Sequence, residues 1–314
     1  MKKIVITLSL LLLVFCINAQ DTASEKNISI YSKNIFIKGS LVSKNNQQKI
    51  VIILAGSGPT DRNGNSTAGV YCNAYKLLAG ELAKNNIASF RFDKRGIAQS
   101  AYKNFNEKDL IFDDYINDAV AIYKYLKDSL GFSEIYFAGH SEGSLIAIIA
   151  AQQTKPEGCI SIAGAGRPID EIIVEQVTKQ SPPIGKQIDS MLYVLKTTNK
   201  VDSVPPYLMS LLRPSVQPYM LSWMKYNPQN EIKKLSCPIL ILQGTCDIQV
   251  MKLDAENLYN ANKKSTLDII DGMTHVLKNA EENCNDKNLK TYHDPSLPLN
   301  EKLVKDIVDF VQLN

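Results

Sequence analysis

Apolar and polar positions follow two rhythms along this chain of 314 residues. Between residues 28 and 42 they alternate (Ile28, Ile30, Ile35, Ile37, Leu41). That is the period of a strand with one buried face, so the stretch predicts one or two antiparallel edge strands. After a polar turn at residues 45–48 comes Ile50-Val51-Ile52-Ile53-Leu54. A continuous apolar run of this length suits a parallel strand buried on both faces. Similar runs fall at residues 87–92, 135–138, 159–163, 238–242 and 267–270. Helical spacing of apolar residues fills the intervals at 71–84, 110–130 (Ile116, Val120, Tyr123, Leu126), 144–153 and 253–262. It also closes the chain at 301–313, with Leu303, Ile307 and Phe310 on one side. Alternating strands and helices predict an α/β fold with a mostly parallel central sheet and helices on both faces.

Residues 167–235 break the rhythm. No strand-like run appears, and helical patterns alternate with Pro182-Pro183, Pro205-Pro206, Pro214 and Pro218. Bulky residues cluster there, including Tyr207, Leu211, Tyr219, Met220 and the one tryptophan, Trp223. The expectation is a helical cap over 167–235, inserted into a core formed by residues 28–166 and 236–314.

Composition changes this picture at one end. Lys2 and Lys3 precede an apolar run from Ile4 to Ile17, and Ala19 offers a small residue for cleavage. The run is short of the ~20 residues needed to span a bilayer. Residues 1–19 therefore read as a signal peptide. The expected mature chain starts near Gln20, is periplasmic or secreted, and has no stable membrane insertion. Without Lys2 and Lys3, 33 basic residues face 32 acidic ones. No basic run is interleaved with aromatics, so nucleic acid is not an expected partner.

Five cysteines follow the leader: Cys72, Cys159, Cys237, Cys246 and Cys284. An odd number leaves at least one unpaired within the chain. Cys237 and Cys246 flank a predicted strand, which holds them too far apart to bond. Cys72, Cys246 and Cys284 follow predicted strands near one rim, so one bridge among them or free thiols are both open. No Cys/His spacing resembles a metal site. The Gly-rich loop at 55–65 lacks the endings that cradle phosphate in nucleotide sites. No cofactor is expected.

The candidate chemistry centres on Gly139-His140-Ser141-Glu142-Gly143. This Gly-x-Ser-x-Gly follows a predicted strand and precedes a predicted helix, the setting of a strained turn that exposes the serine hydroxyl. Serine needs a base to take its proton, and the base needs an acid to hold its tautomer. The chain has three histidines. His140 leaves the turn in another direction and is expected to be structural. His293 follows no strand. His275 follows the last predicted strand, on the same rim as Ser141, and is the expected base. Asp247, just after the 238–242 strand, is the expected acid, with Asp271 in reserve. An oxyanion needs donors already aimed at it. The Glu142 N–H is one candidate. The Ser57 N–H is the other, with Gly56 next. The Glu142 side chain either faces the cleft or is solvated or salt-bridged.

With these residues in place, the sequence resembles the α/β-hydrolase superfamily, in its bacterial esterase-like and serine aminopeptidase-like branch. The carrying segments are Leu54–Arg62, Phe92–Gly96, Gly139–Gly143, Gln243–Asp247 and Gly272–His275. The resemblance implies about eight strands and a helical cap inserted after the sixth. It also implies that Asp93 and Arg95 belong to a structural turn. Many relatives carry histidine where this chain has Ala55, which leaves the upstream donor open between Ser57 and Gly56.

The expected function is a serine hydrolase that cleaves small carboxylic esters through Ser141, His275 and Asp247. The alternative is a peptidase acting on short peptides, whose cap needs a carboxylate for the free amine. Glu171, Glu175 and Asp189 are available for that role. A non-catalytic binding protein on the same fold is the third class.

Overall fold

The computed structural model describes residues 22–281, 284 and 289–314. The leader expected over residues 1–19 lies outside the described residues. The strands are β1 (Ser24–Ser32), β2 (Ile35–Ser43), β3 (Lys49–Leu54), β4 (Ala88–Phe92), β5 (Glu134–His140), β6 (Gly158–Ile162), β7 (Ile239–Gly244) and β8 (Thr266–Ile270). They form one eight-stranded sheet in the order β1-β2-β4-β3-β5-β6-β7-β8. β1 and β2 form an antiparallel hairpin, and β2 meets β4 antiparallel. The remaining pairs are parallel. Lys33 and Asn34 turn the hairpin with positive φ at both positions, the backbone that matches the twist of the paired strands.

The helices of the first half are α1 (Ala74–Lys84), α2 (Phe112–Asp128) and α3 (Glu142–Thr154). α9 (Lys252–Ala261), α10 (Lys290–His293) and α11 (Glu301–Leu313) follow β7 and β8. The sheet separates two cores, and its period of two decides which residue enters which. Ile50, Ile52 and Leu54 of β3 pack with α2, α3 and α9. Val51 and Ile53, between them, pack with α1 and α11. This is why β3 reads as an unbroken apolar run. The helix expected to start at residue 71 starts at Ala74 instead. The Asn65 side chain accepts the Cys72 and Asn73 N–H groups, and Asn73 takes φ 54°.

Residues 167–235 hold a helical layer inserted between β6 and β7. It comprises α4 (Ile169–Gln180), α5 (Pro182–Thr198), α6 (Met209–Leu212), α7 (Gln217–Trp223) and α8 (Pro228–Ile232). The layer has its own apolar cluster, around Ile173, Ile188, Leu192, Leu195, Leu212 and Met220. Polar contacts tie it to the sheet domain. Arg167 donates to both carboxylate oxygens of Asp254 at 2.9 and 2.8 Å. Trp223 stacks on Phe112 of α2 at 5.4 Å. Among the described residues, no helix is long and apolar enough to cross a membrane.

The strand order reverses around β3, whose neighbours are β4 and β5. The chain ends of such a switch point splay apart and leave a crevice at the carboxyl ends of the strands. The loop after β3 carries Gly56 and Ser57, and the turn after β5 carries Ser141.

Candidate active site

Ser141 sits between β5 and α3 with φ 54° and ψ −119°. A non-glycine residue in this region is strained. Two neighbours show why the turn is so tight. A Cβ at Gly139 would lie 2.1 Å from the Gly143 carbonyl oxygen, and one at Gly143 would lie 2.3 Å from that of Leu54. Only glycine lets α3 approach the strands this closely. Ser141 is half-buried, and its N–H is held by the Ile162 carbonyl at 2.9 Å.

Asp247 and His275 meet on the same rim, at the ends of β7 and β8. His275 Nδ1 lies 2.7 Å from Asp247 Oδ2, and both side chains are buried. The Gln243 amide donates to the same oxygen at 3.1 Å. The other oxygen accepts the N–H groups of Gln249 and Val250 at 2.8 and 3.0 Å. Burial pushes the Asp247 carboxyl up. The facing His275 and these hydrogen bonds outweigh burial and hold it below the ordinary carboxylate range. Asp247 is thus an anion with its lone pairs assigned, and His275 Nδ1–H is the donor to it. His275 and Ser141 line one small cavity. The Ser141 hydroxyl makes no side-chain hydrogen bond among the described residues. Contacts of this kind commonly tighten only when substrate binds.

His140 is drawn into the scaffold by a chain whose proton positions follow from its ends. The Gly56 N–H donates to the Tyr75 hydroxyl at 3.0 Å. That hydroxyl lies 2.8 Å from His140 Nδ1, and His140 Nε2 lies 2.8 Å from the His275 carbonyl. An amide N–H only donates and a carbonyl only accepts. Tyr75 therefore donates to Nδ1, and Nε2–H donates to His275. Burial, then the neighbouring His275, lower the His140 pKa to about 3. The ring is neutral, which matters because it lies 4.7 Å from the His275 ring. A second charge there would oppose proton uptake by His275.

The same chain occupies the Gly56 N–H. Lys94 occupies its carbonyl at 2.7 Å and reaches Glu142 Oε1 at 3.3 Å. Glu142 is therefore buried and salt-bridged to Lys94 rather than solvated. Among the described residues, neither the Ser57 nor the Glu142 backbone N–H has a protein acceptor. Of the two upstream candidates, Gly56 is engaged and Ser57 is free.

Other sequence candidates are dispersed. Asp271 is exposed and accepts from Thr245 at 3.1 Å, while His275 is paired with Asp247. His293 is exposed. Asp93 binds Arg62, and Arg95 binds Asp118, so both serve the turn after β4. Cys246, next to Asp247, is bridged to Cys284, while Cys72, Cys159 and Cys237 are free. Among the described residues, no group of His, Cys, Asp and Glu is placed to hold a metal ion. Sequence reasoning gave no role to Gln243, Tyr75 or Lys94. A glutamine closing the apolar run of β7 was the one signal available. The others carry no local mark, because their partners lie on distant segments.

Strand order, switch point and strained serine turn are those of an α/β-hydrolase. The paired Asp–His on the same rim and the helical layer above it agree with the serine-dependent members of that class. The chain belongs to the family described as "Serine aminopeptidase, S33", whose model matches residues 68–282. It is 25% identical over 235 residues to the esterase EstD of Thermotoga maritima, covering 74% of this chain and 55% of that protein. The chain thus spans about half the length of that curated relative. Among solved structures it resembles the Pyrococcus furiosus esterase Pf2001, with a TM-score of 0.61 and 20% identity over 93% of this chain and 91% of that one. It also resembles a proline iminopeptidase of Mycobacterium smegmatis, with a TM-score of 0.60 and 10% identity over 92% and 98%. Likenesses at these identities are of fold.

Proposed function

We propose that the protein hydrolyses carboxylic esters through an acyl-enzyme intermediate. Ser141 Oγ attacks the acyl carbon while His275 Nε2 takes its proton. Asp247 keeps His275 in the tautomer that leaves Nε2 free and stabilises the imidazolium that forms. The Ser57 and Glu142 N–H groups receive the oxyanion, each worth about 3–4 kcal/mol in measured systems. The C–O bond to the alcohol breaks, and the alcohol oxygen takes the proton from His275. Water then repeats the sequence and frees the acid. No step calls on a cofactor.

One observation carries this reading: the buried 2.7 Å contact between Asp247 and His275, in a ring that lines the same cavity as Ser141. Turnover of short-chain methyl esters by the wild type and Ser141→Ala, followed as acid released, tests it. Equal rates would sink the proposal.

The peptidase alternative needs a carboxylate for the substrate amine near Ser141. Glu171, Glu175 and Asp189 line a separate depression beside Arg167 and Lys179. Glu175 is paired with both of those cations. None of the three lines a cavity that reaches Ser141, and the carboxylates that do line it, Glu107 and Glu142, are already paired with Arg213 and Lys94. This supports the ester reading. Faster turnover of aminoacyl amides than of matched esters would reverse the order.

We also propose that the chain is exported. The leader-like residues 1–19 and the Cys246–Cys284 bridge support this, since such bridges persist in oxidising compartments. N-terminal sequencing of the protein from cell fractions checks it. An intact Met1 on a cytoplasmic protein would refute export.

A further inference from the structure

Two cavities meet at Ser141, and they differ in size and chemistry. One has a volume of 560 Å³ and lies between the sheet rim and the helical layer. Tyr115, Leu145, Ile172, Val216, Met220 and Trp223 give it an apolar wall. The other has a volume of 90 Å³ and is walled by Val70, Cys72, Val276 and Tyr292. Ser57, Ser141 and Gln249 belong to both, but His275 lines the small one alone.

We propose that these cavities divide the substrate: the larger takes an uncharged, mainly apolar acyl group, and the smaller takes a short, unbranched alcohol. This rests on the ester-hydrolase reading above. The argument starts from the proton. When the C–O bond breaks, the alcohol oxygen must lie within hydrogen-bond reach of the ring that protonates it, about 2.6–3.2 Å. The first atoms of the alcohol therefore sit beside His275, in the small cavity. The acyl group stays bonded to Ser141 Oγ after the alcohol has gone, and it needs no contact with His275.

Volume sets the sizes. Pockets for drug-sized ligands span roughly 300–1,000 Å³. The larger cavity falls within that range, and the smaller holds only a few heavy atoms. Its wall is braced. The Gln249 amide donates to the Tyr292 hydroxyl at 2.9 Å, and the Tyr71 N–H donates to the Tyr292 carbonyl at 2.7 Å. A bulky group on the alcohol oxygen would have to break these bonds.

Charge sets the chemistry of the acyl side. The cations in the larger wall are already engaged: Lys94 with Glu142, Arg95 with Asp118, Arg213 with Glu107, and Arg167 with Glu175 and Asp254. A charged acyl group would lose water and find no unpaired counter-charge.

Two ester series on the full-length protein test the division. One holds methanol constant and enlarges the acid from acetate to 3-phenylpropanoate. The other holds acetate constant and enlarges the alcohol from methyl to tert-butyl and benzyl. The expected kcat/KM rises along the first series and falls at least about tenfold along the second. Methyl hexanoate is expected to exceed monomethyl glutarate by about tenfold or more. Val70→Ala should raise the benzyl-to-methyl ratio, and Val216→Trp should lower the phenylpropanoate-to-acetate ratio. Leu211→Phe, in the same large cavity, replaces Val216→Trp if that variant does not fold. Opposite trends overturn the division and leave the ester-hydrolase reading standing. Labelling of Ser141 by a fluorophosphonate with no turnover in either series also overturns it. The absence of both labelling and turnover overturns the ester-hydrolase reading itself.

Discussion

The polar atoms of Asp247 and His140 beside Ser141 each have an assigned partner, whereas the helical layer above is held by packing and a few seams. At the rim, Asp247 spends both oxygens, and the chain from Gly56 to His275 leaves one tautomer for His140. In the layer, Ile188, Leu192, Leu195 and Met220 meet through side chains that tolerate exchange of similar volume. The difference teaches where single substitutions should be sharp and where they should be graded.

The largest expected effect is chemical. Asp247→Asn should keep the shape but free the His275 tautomer, lowering kcat by about 10⁴. Ester turnover with a parallel melting curve checks it. Retention of more than a tenth of the activity would break the contrast on the rim's side.

Gly143→Ala comes next. Its Cβ would meet backbone 2.3 Å away, and a carbonyl cannot rotate aside as a side chain does. A loss of about 3 kcal/mol or more is expected, read from urea unfolding. Cys284→Ser should follow with about 2–4 kcal/mol, because the bridge closes a sequence separation of 38 residues. A neutral result would mean that hydrogen bonds alone hold the Asp247 loop.

The pH dependence of stability sharpens the rim further. Folded His140 takes a proton only at about pH 3. An unfolded histidine takes one near 6.5. As pH falls through that window, the unfolded chain binds the proton that the folded chain refuses. Stability is therefore full above about 6.5 and falls below it by at most ~1.4 kcal/mol per pH unit. Asp247 adds a loss in the same direction at lower pH, since its folded carboxyl titrates below its unfolded value. Urea midpoints at pH 7 and 4.5 should show the slope, and His140→Gln should flatten it. An unchanged slope in that variant would assign the loss to other groups.

The smallest effects belong to the layer. Ile188→Val, in its core, should cost about 0.5–1.5 kcal/mol and leave kcat within a few-fold. Lys196→Ala removes a surface pair with Asp170 and should change stability by less than about 1 kcal/mol. A collapse of activity in Ile188→Val would erase the distinction between the two regions.

Much of this was legible along the chain. Ile50–Leu54 read as a doubly buried strand because side chains two apart share a face, and that periodicity is local. The interrupted rhythm after β6 marked the inserted helices for the same reason. Gly139–Gly143 could be recognised because a tight turn leaves a compositional trace. Ser141, Asp247 and His275 could be named because strand ends in a parallel sheet share a rim.

What the sequence by itself determined, then, is set by periodicity and turn chemistry: the fold, the strained serine, and the order of the candidate residues. Tertiary structure alone decided the rest. It paired Lys94 with Glu142 and Cys246 with Cys284. It took the Gly56 N–H for Tyr75 and left that of Ser57 free. It placed Glu171 and Asp189 away from Ser141, and it separated a large cavity from a small one. The physical reason is that each of these depends on distances between segments far apart in the chain. A hydrogen bond or a cavity wall exists only once the sheet has brought such segments together.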